Sequence, residues 1–338
     1  METYRAFAAR KTEDGGFAAG FETRRSEELP EGEVTVRVAY SSVNYKDGLA
    51  ATPNGKVVAA YPRTLGIDLE GVVTRSSSPR FREGDRVVAT GYGLGVSHDG
   101  GFAELARLPA DWLVPLPAGL SMKEAMALGT AGLTAALSIK RLEDNGLTPE
   151  HGPVLVTGAA GGVGSLAVAM LARAGYAATA STGRASTERN YLLRLGAAEV
   201  VDRAALAPDK PSPLLKQRFA AAVDPVGGEG LRHVLGSLRY GGSAAVSGMA
   251  GGADWQASVF PFILRGVNLL GIDSVACPMG TRLELWRAMA GSWKPDGLLE
   301  RIADEIPFDE LPRRLTDVLR GTVRGRTVVR VGGESFSE

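Results

Sequence analysis

The segment 154–168 constrains the fold of this chain most strongly. Its sequence, VLVTGAAGGVGSLAV, reads as an apolar strand, a glycine-rich turn and the beginning of a helix. Glycine lets the backbone approach a pyrophosphate closely, and a helix N-terminus offers N–H groups and the positive end of its dipole. In this strand–turn–helix context the pattern predicts a dinucleotide site rather than a bare structural turn. The predicted contacts are Gly158, Gly161, Gly162, Val163 and Gly164.

The end of the next strand indicates which nucleotide binds. An NAD site places a carboxylate about 20 residues after the glycine turn, to hold the ribose hydroxyls. Here Ser181, Thr182, Gly183 and Arg184 occupy that region, and the first acid is Glu188. Hydroxyls and a guanidinium suit a 2′-phosphate, so we predict NADPH as the cofactor, with Arg184 as its reader against the alternative of a solvated loop arginine. Arg203, after the third strand, is a second candidate against the alternative of a surface charge.

The hydrophobic pattern divides the chain into a β-rich part and an α/β part. Short strands at 34–40, 71–74 and 85–90, with closely spaced Gly and Pro, predict a barrel-like first domain. From a capping box at Ser121 and Glu124 onward, apolar strands alternate with helices, which predicts a doubly wound parallel sheet. The predicted strands are 153–157, 176–182, 220–224, 243–247 and 267–273, and the predicted helices 163–174, 187–195, 282–290 and 310–319. A closing strand at 326–331 is predicted to return to the first domain.

Composition excludes several classes of function. The chain has 338 residues with 38 basic and 38 acidic side chains, a balance that argues against nucleic acid and anionic membranes as partners. No run approaches about 18 apolar residues, and the start, Met1 to Arg5, lacks a signal-peptide core. The single Cys277 excludes an intrachain disulfide and favours a reducing, cytoplasmic compartment. The three dispersed histidines, His98, His151 and His233, receive no catalytic role.

The glycine turn also matches the Thr-Gly-x-x-x-Gly-x-Gly form of short-chain dehydrogenases. Those enzymes use a Tyr-x-x-x-Lys pair for proton transfer, and none of the eight tyrosines here is followed by Lys four positions on. That family is therefore excluded.

A leading barrel, a central nucleotide domain and a returning strand resemble the medium-chain dehydrogenase/reductase superfamily. Its zinc enzymes place metal ligands where this chain has Asn44, in SSVNYKD, and Ile67, in LGIDLEG. Isoleucine cannot bind zinc and asparagine is a poor ligand, so we predict no metal. The resemblance implies a GroES-like catalytic domain at 1–126 and 275–338 and a Rossmann domain at 127–274. Homodimers are usual for this fold; the apolar strand 267–272 suits such an interface, but a buried central strand would look the same.

A narrower resemblance is to the YhdH-type acryloyl-CoA reductases. It rests on the segments SVNYKD at 42–47, GID at 66–68, STGR at 181–184 and PFILRGVNLLGIDSV at 261–275. This resemblance implies NADPH-dependent reduction of acryloyl-CoA to propanoyl-CoA. An NADPH:quinone or general enone reductase is the alternative, and a non-enzymatic nucleotide- or RNA-binding protein is a remote one. A basic rim for the CoA phosphates, with Lys56, Arg63, Arg80 and Arg82 as candidates, would discriminate between the two enzymes.

Conjugate reduction needs hydrogen-bond donors for an enolate oxygen and a proton for the α-carbon. Asn44 and Tyr45 are predicted to line the nicotinamide pocket, with Tyr45 as the proton relay. Asp47 either orients Lys46 or Tyr45 or caps a helix, and Asp68 is predicted to organise the pocket. Further cofactor contacts are expected at strand ends and turns: Thr130, Met249, Ile263 and Ser274. Arg326 resembles the family's closing Gly-Arg, which implies a contact with the cofactor or the substrate; the alternative is an ion pair near the cleft.

Overall fold

The computed structural model describes residues 2–208 and 212–332. It divides into two compact units, one containing 1–130, 275–290 and 303–338 and the other 131–274 and 291–302. The predicted functional domains, 1–126 with 275–338 and 127–274, stay a prediction, and their residues Met1, 209–211 and 333–338 lie outside the described residues. Within the described part, no helix is long and apolar enough to cross a membrane.

The strands of the first unit precede and follow the second unit in sequence. They are β1 (Thr3–Lys11), β2 (Phe17–Arg25), β3 (Val34–Val43), β4 (Arg63–Thr64), β5 (Asp68–Ser76), β6 (Arg86–Thr90), β7 (Leu105–Leu108), β8 (Leu113–Pro115), β15 (Ala303–Pro307) and β16 (Arg326–Arg330). The second unit contributes β9 (Val154–Val156), β10 (Ala178–Thr182), β11 (Glu199–Asp202), β12 (Phe219–Asp224), β13 (Leu238–Val246) and β14 (Asn268–Gly271). The helices are α1 (Tyr45–Ala50), α2 (Met122–Asp144), α3 (Gly162–Arg173), α4 (Ala185–Arg194), α5 (Gly230–Ser237), α6 (Phe260–Arg265), α7 (Met279–Ala290) and α8 (Leu311–Leu319).

The first unit is built on a seven-stranded sheet in which β3 has three partners. The order is β15-β16-β3-β5-β6-β8, with β7 also paired to β3, and a second sheet has the order β2-β1-β4. β16 runs antiparallel to β3, with Val328 opposite Ser42. The predicted barrel-like domain and the returning strand are therefore confirmed. Its core is aliphatic and aromatic, and Val36, Leu69 and Phe102 are fully buried within it.

The hairpin of β1 and β2 was not predicted from the sequence. The two strands pair antiparallel over their full length, from Thr3 opposite Arg25 to Lys11 opposite Phe17. Within β1 a continuous run from Ala6 to Ala9 is buried, so the strand lacks the apolar–polar alternation that marks a half-buried strand. Small alanines in both strands further weaken the pattern.

The second unit is a six-stranded sheet with the order β11-β10-β9-β12-β13-β14. All neighbours run parallel, which confirms the predicted doubly wound sheet. β14 lies at one edge, so the alternative of a buried central strand at 267–273 is wrong within this sheet. β10 begins two residues later than predicted because the N–H of Tyr176 bonds to Leu171 O and still belongs to the end of α3.

Helix α2 begins at the predicted capping box. The N–H of Ser121 donates to Glu124 Oε2 at 2.9 Å, and the N–H of Glu124 donates to Ser121 Oγ at 3.2 Å. The helix is interrupted at Gly129, whose φ of 50° and ψ of −152° are not helical. This break brings the backbone of the following residue, Thr130, against the side chain of Asp68.

Candidate functional site

The glycine turn between β9 and α3 has the geometry that its sequence predicts. Gly158 has a φ of +54°, a conformation that glycine adopts without steric cost. A Cβ atom on Gly164 would lie 2.4 Å from the carbonyl oxygen of Gly158. Any other residue at position 164 would therefore push α3 away from the turn. The first N–H groups of α3, which follow this turn, have no acceptor within the helix.

A cavity of about 370 Å³ opens where β9, β10, β11 and β12 end. Parallel sheets bind ligands beyond the carboxyl ends of their strands, at the point where the strand order reverses. Five of the predicted cofactor residues line this cavity: Gly158, Ser181, Thr182, Gly183 and Arg203. The lining also includes Thr157, Asp202, Asp224, Val226, Gly227 and His233, which the sequence analysis did not select. The cavity is the candidate nucleotide site.

Arg203 and Arg184, the two candidate phosphate readers, have different surroundings. A Cβ atom placed on Gly183 would lie 3.2 Å from one terminal nitrogen of the Arg203 guanidinium, so the side chain of Arg203 covers this glycine. Arg184 is not among the lining residues. Its terminal nitrogen Nη1 lies 3.9 Å from Glu188 Oε1, one turn further along α4. The structure thus brings Arg203, rather than Arg184, to the cavity.

Asp224 holds the floor of the cavity in shape. Its Oδ1 accepts hydrogen bonds from Thr157 Oγ1 at 2.7 Å and from the N–H groups of Val226 and Gly227 at 2.8 and 3.1 Å. These bonds tie the end of β12 to the end of β9 and order the turn that follows. A sequence signal for Asp224 was present: it is an acid at the end of an apolar strand, followed directly by proline and then by two glycines.

Other predicted contacts in the second unit also lie outside this lining: the turn residues Gly161, Gly162, Val163 and Gly164, and the isolated positions Met249, Ile263 and Ser274. Met249 is 56% exposed and Ile263 is 69% exposed. Ser274 is buried, and its Oγ lies 2.7 Å from Thr134 Oγ1. Their assignment to the cofactor stays a prediction.

The first unit contains a buried polar cluster centred on Asp68. This carboxylate is fully buried and accepts hydrogen bonds from Ser42 Oγ, from Asn44 Nδ2 at 2.8 Å and from the N–H of Thr130 at 3.0 Å. The Thr130 hydroxyl donates to Asp68 as well. Asp68 thus organises its surroundings through four donors, and no sequence pattern placed those donors together.

Arg326 closes the same cluster. This residue is 2% exposed. Its guanidinium donates to the carbonyl oxygens of Ala127 and Val43 at 3.0 and 3.1 Å, to Ser42 Oγ at 2.7 Å and to Asn44 Oδ1 at 3.2 Å. Burial lowers the pKa of this guanidinium, and the nearby carboxylates of Asp68 and Asp47 oppose that shift. Arg326 and Asp68 therefore hold the Asn44 amide from both of its ends.

Asp47 is the third helical residue of α1 and forms a capping box with the N-cap residue Asn44. Its Oδ2 accepts the N–H of Asn44 at 2.8 Å, and its Oδ1 accepts the N–H of Ile67 at 2.9 Å. These bonds favour the capping alternative over an orienting role toward Lys46 or Tyr45. The pKa of Asp47 is raised to about 7, mainly because the carboxyl group is completely buried and secondly because the charge of Asp68 is nearby.

Tyr45 is the first residue of α1 and is 38% exposed. In the part of the chain that the structure describes, its hydroxyl makes no hydrogen bond within the protein. Tyr45 follows Asn44 directly in sequence, so it is an exposed residue adjacent along the chain to a member of the buried cluster. Its role as proton relay stays a prediction.

The buried cluster does not fit a zinc ion. Asn44 is committed through both atoms of its amide to Asp68 and Arg326, and Ile67 is a buried apolar residue. Across the described residues no group of three or more His, Cys, Asp and Glu side chains could hold a metal. The chemistry of this donor set is that of hydrogen bonding.

One buried acid lies beyond the cluster on the same strand. Glu70 is fully buried, and neither of its carboxyl oxygens has a hydrogen-bond partner among the described residues. Burial raises the pKa of Glu70 to about 8, against a smaller opposing effect of Arg86. Residues 68 and 70 point to the same face of β5 because side chains alternate along a strand.

Comparison with known proteins assigns the family. Residues 30–118 match the alcohol dehydrogenase GroES-like domain, and residues 162–289 match the zinc-binding dehydrogenase domain. The chain belongs to the medium-chain dehydrogenase/reductase superfamily.

Three relatives are similar over nearly their whole length. The chain is 51% identical to YhfP of Bacillus subtilis, covering 97% of this chain and 99% of that protein, whose name assigns it provisionally to the quinone oxidoreductases. It is 52% identical to the acrylyl-CoA reductase AcuI of Ruegeria pomeroyi, covering 90% of this chain and 92% of the relative. The YhdH oxidoreductase of Salmonella enterica, solved in complex with NADP, is 44% identical and gives a TM-score of 0.93. The match covers 97% of this chain and 100% of that one. A structure of YhfP with NAD bound gives a TM-score of 0.94, covering 98% of this chain and 100% of that one.

Proposed function

We propose that this protein uses NADPH to reduce the activated C=C bond of a short 2-enoyl thioester, acryloyl-CoA to propanoyl-CoA. The observation that carries this proposal is the 52% identity to AcuI, together with a buried donor cluster that does not fit a metal. A ketone or aldehyde reduction profits from a Lewis acid, whereas conjugate reduction of a thioester needs only donors at the oxygen that gains charge.

The nucleotide cavity supports NADPH as the cofactor. Bound NADPH supplies the hydride. The Arg203 guanidinium presents parallel N–H donors to a 2′-phosphate, and Ser181 and Thr182 add hydroxyls at the same strand end. In the cavity wall the acids are Asp202, which accepts the N–H of Ala204, and Asp224, which holds its own turn. The YhdH relative was solved with NADP, in agreement with this preference. YhfP was solved with NAD, so the preference for NADPH over NADH has to be measured for this protein.

In the proposed reaction, the buried cluster and Tyr45 have separate roles. Arg326 and Asp68 fix the Asn44 amide, and the hydroxyl of the next residue, Tyr45, has no hydrogen-bond partner among the described residues. Tyr45 is the donor of the proton to the α-carbon of the substrate. The buried cluster keeps its geometry during turnover because each of its polar groups is already hydrogen bonded, so no reorganisation is needed.

A quinone or general enone reductase is the second candidate, and one observation favours it. Of the basic residues proposed to hold CoA phosphates, Arg63 lies 3.0 Å from Asp99, Arg80 lies 2.5 Å from Asp111 and Arg82 lies 3.6 Å from Asp85. Each arginine is paired with a carboxylate, so these three do not support a CoA rim.

We also propose a cytoplasmic homodimer. β14 is an edge strand with Leu269 43% exposed, and the neighbouring α6 exposes Ile263 and Leu264. An unpaired edge strand with apolar neighbours is suited to pairing with a second copy. The lone, buried Cys277 is compatible with a reducing compartment.

One assay separates the candidates. NADPH oxidation is followed with acryloyl-CoA, crotonyl-CoA and a simple quinone side by side, and then with NADH in place of NADPH. The proposal expects the highest kcat/KM with acryloyl-CoA and NADPH, and no stoichiometric zinc in the active protein. Preference for the quinone, or equal use of NADH, contradicts it.

A further inference from the structure

Helix α5 forms one wall of the nucleotide cavity. Gly230, His233 and Val234 all line it, and their spacing of three and four residues places them on one helix face. Gly230 has open space where a side chain would project, so this part of the wall is recessed. His233 is therefore the polar side chain that α5 brings to the cavity.

The protonation of His233 is determined by its neighbour. Arg232 Nε donates a hydrogen bond to His233 Nε2 at 3.3 Å, which requires a lone pair on Nε2 and places the proton on Nδ1. Burial and then the charge of Arg232 lower the pKa of His233. The other charged groups are Glu229, the N-cap residue of α5, which opposes this shift, and Asp202 and Arg203, which line the same cavity. At neutral pH His233 is therefore a neutral ring, and its Nδ1–H has no hydrogen-bond acceptor within the described part of the chain.

We propose that His233 recognises the adenine base of the bound nucleotide, an inference that rests on the proposed NADPH site. A neutral N–H donor complements the ring nitrogens of a heteroaromatic base, which are acceptors without charge. A phosphate is matched better by the permanently charged Arg203, which lies on a different element, in the 3-10 turn Arg203–Leu206. The cavity thus separates base recognition by His233 from phosphate recognition by Arg203.

The test measures binding of two nucleotide fragments to the full chain by calorimetry. Adenosine 5′-diphosphate carries the base without the 2′-phosphate, and adenosine 2′,5′-bisphosphate carries both. His233→Ala is expected to raise the Kd of both nucleotides by the same factor, about fivefold to tenfold, which is the effect of losing one neutral hydrogen bond. His233→Asn keeps an N–H donor near the position of Nδ1 and is expected to recover most of the affinity. Arg203→Ala is expected to weaken only the bisphosphate.

Two controls make the outcome decisive. His151→Asn changes a histidine outside the cavity and is expected to leave both affinities unaltered, and thermal unfolding verifies that each variant is folded. A loss in His233→Ala confined to the bisphosphate, and growing as the pH falls from 8 to 6, makes His233 a phosphate contact and overturns the inference. Unaltered affinities overturn it as well. If the unmodified protein binds neither NADPH nor the bisphosphate, the proposed function fails first and this inference falls with it.

Discussion

The guanidinium of Arg326 and the carboxylate of Asp68 lie 3.8 Å apart, and both side chains are almost completely buried. They come from opposite ends of the chain, on β16 and β5, and they share Ser42 and Asn44 as hydrogen-bond partners. A buried charge is tolerated only when it is paired and hydrogen bonded. The pair therefore stabilises the fold only as long as both members are present.

Asp68→Ala is expected to lower the free energy of unfolding by about 3–5 kcal/mol, because it leaves the charge of Arg326 buried without its carboxylate. Asp68→Asn retains one acceptor oxygen and is expected to cost less. Denaturant unfolding at constant pH measures both. A loss below about 1 kcal/mol in Asp68→Ala would show that Arg326 does not depend on this carboxylate.

Gly129→Ala is expected to disrupt the same cluster without removing any of its groups. Gly129 has a φ of +50°, and a Cβ atom there would lie 2.5 Å from Asp68 Oδ2 and 2.8 Å from Ser42 Oγ. Strain and steric overlap together are expected to cost more than about 2 kcal/mol of stability and to lower kcat. Gly146→Ala, which has a φ of +89° but open space around it, is the matched control and isolates the backbone cost.

Glu70→Gln is expected to change the pH dependence of stability. The unfolded chain releases this proton near the ordinary pKa of 4.5, whereas the folded chain keeps it until about 8. The folded state binds more protons in this interval, so the stability contributed by the neutral acid is complete below pH 4.5 and falls as the pH rises to 8. The Glu70→Gln variant cannot lose this contribution. Its free energy of unfolding, relative to that of the unmodified protein, should therefore increase from pH 4.5 to pH 8, by the order of a few kcal/mol.

Unfolding experiments at pH 5 and pH 8 check this expectation, with the exposed Glu13→Gln as control. If the difference in the free energy of unfolding between Glu70→Gln and the unmodified protein is the same at both pH values, Glu70 has an ordinary pKa in the folded state.

Arg203→Ala is expected to raise the KM for NADPH by about 10- to 100-fold, the effect of losing a charged hydrogen-bond partner, and to leave the KM for NADH nearly constant. Arg184→Ala is expected to act in the same direction. Because the structure brings Arg203 and not Arg184 to the cavity, the effect of Arg184→Ala should be the smaller one. Steady-state kinetics with both cofactors decide this, and equal changes for NADPH and NADH in either variant contradict its assignment to the phosphate.

Tyr45→Phe is expected to lower kcat by about 10- to 100-fold with little change in the KM for NADPH, since it removes a proton donor and keeps the ring. Tyr92→Phe alters a tyrosine whose hydroxyl bonds to Cys277 O and serves as a comparison. Single-turnover measurements separate the chemical step from product release. An unchanged rate in Tyr45→Phe assigns the proton to water.

The nucleotide half of the protein was accessible from its sequence because its signals are local. The turn from Gly158 to Gly164, the strand-end residues Ser181 to Gly183 and the alternation of apolar strands with helices each lie within one supersecondary unit, where spacing along the chain sets spacing in the structure. The carboxyl ends of the strands were predicted to within about two residues for the same reason, whereas β13 begins at Leu238, before the predicted start at 243. The β1–β2 hairpin was missed because alanines and a continuous buried run remove the period on which strand prediction depends.

By itself, the sequence determined the fold class, and it predicted the glycine turn, the strand-end residues of the nucleotide cavity and, from Asn44 and Ile67, a site without zinc. Tertiary structure alone decided which residues act together. Asp68 and Arg326 are 258 positions apart, yet antiparallel pairing of β16 and β5 with β3 places both against Asn44. Packing likewise turned Arg203 toward the cavity, since hydrogen bonds and burial between distant segments depend on three-dimensional contacts that no local pattern encodes.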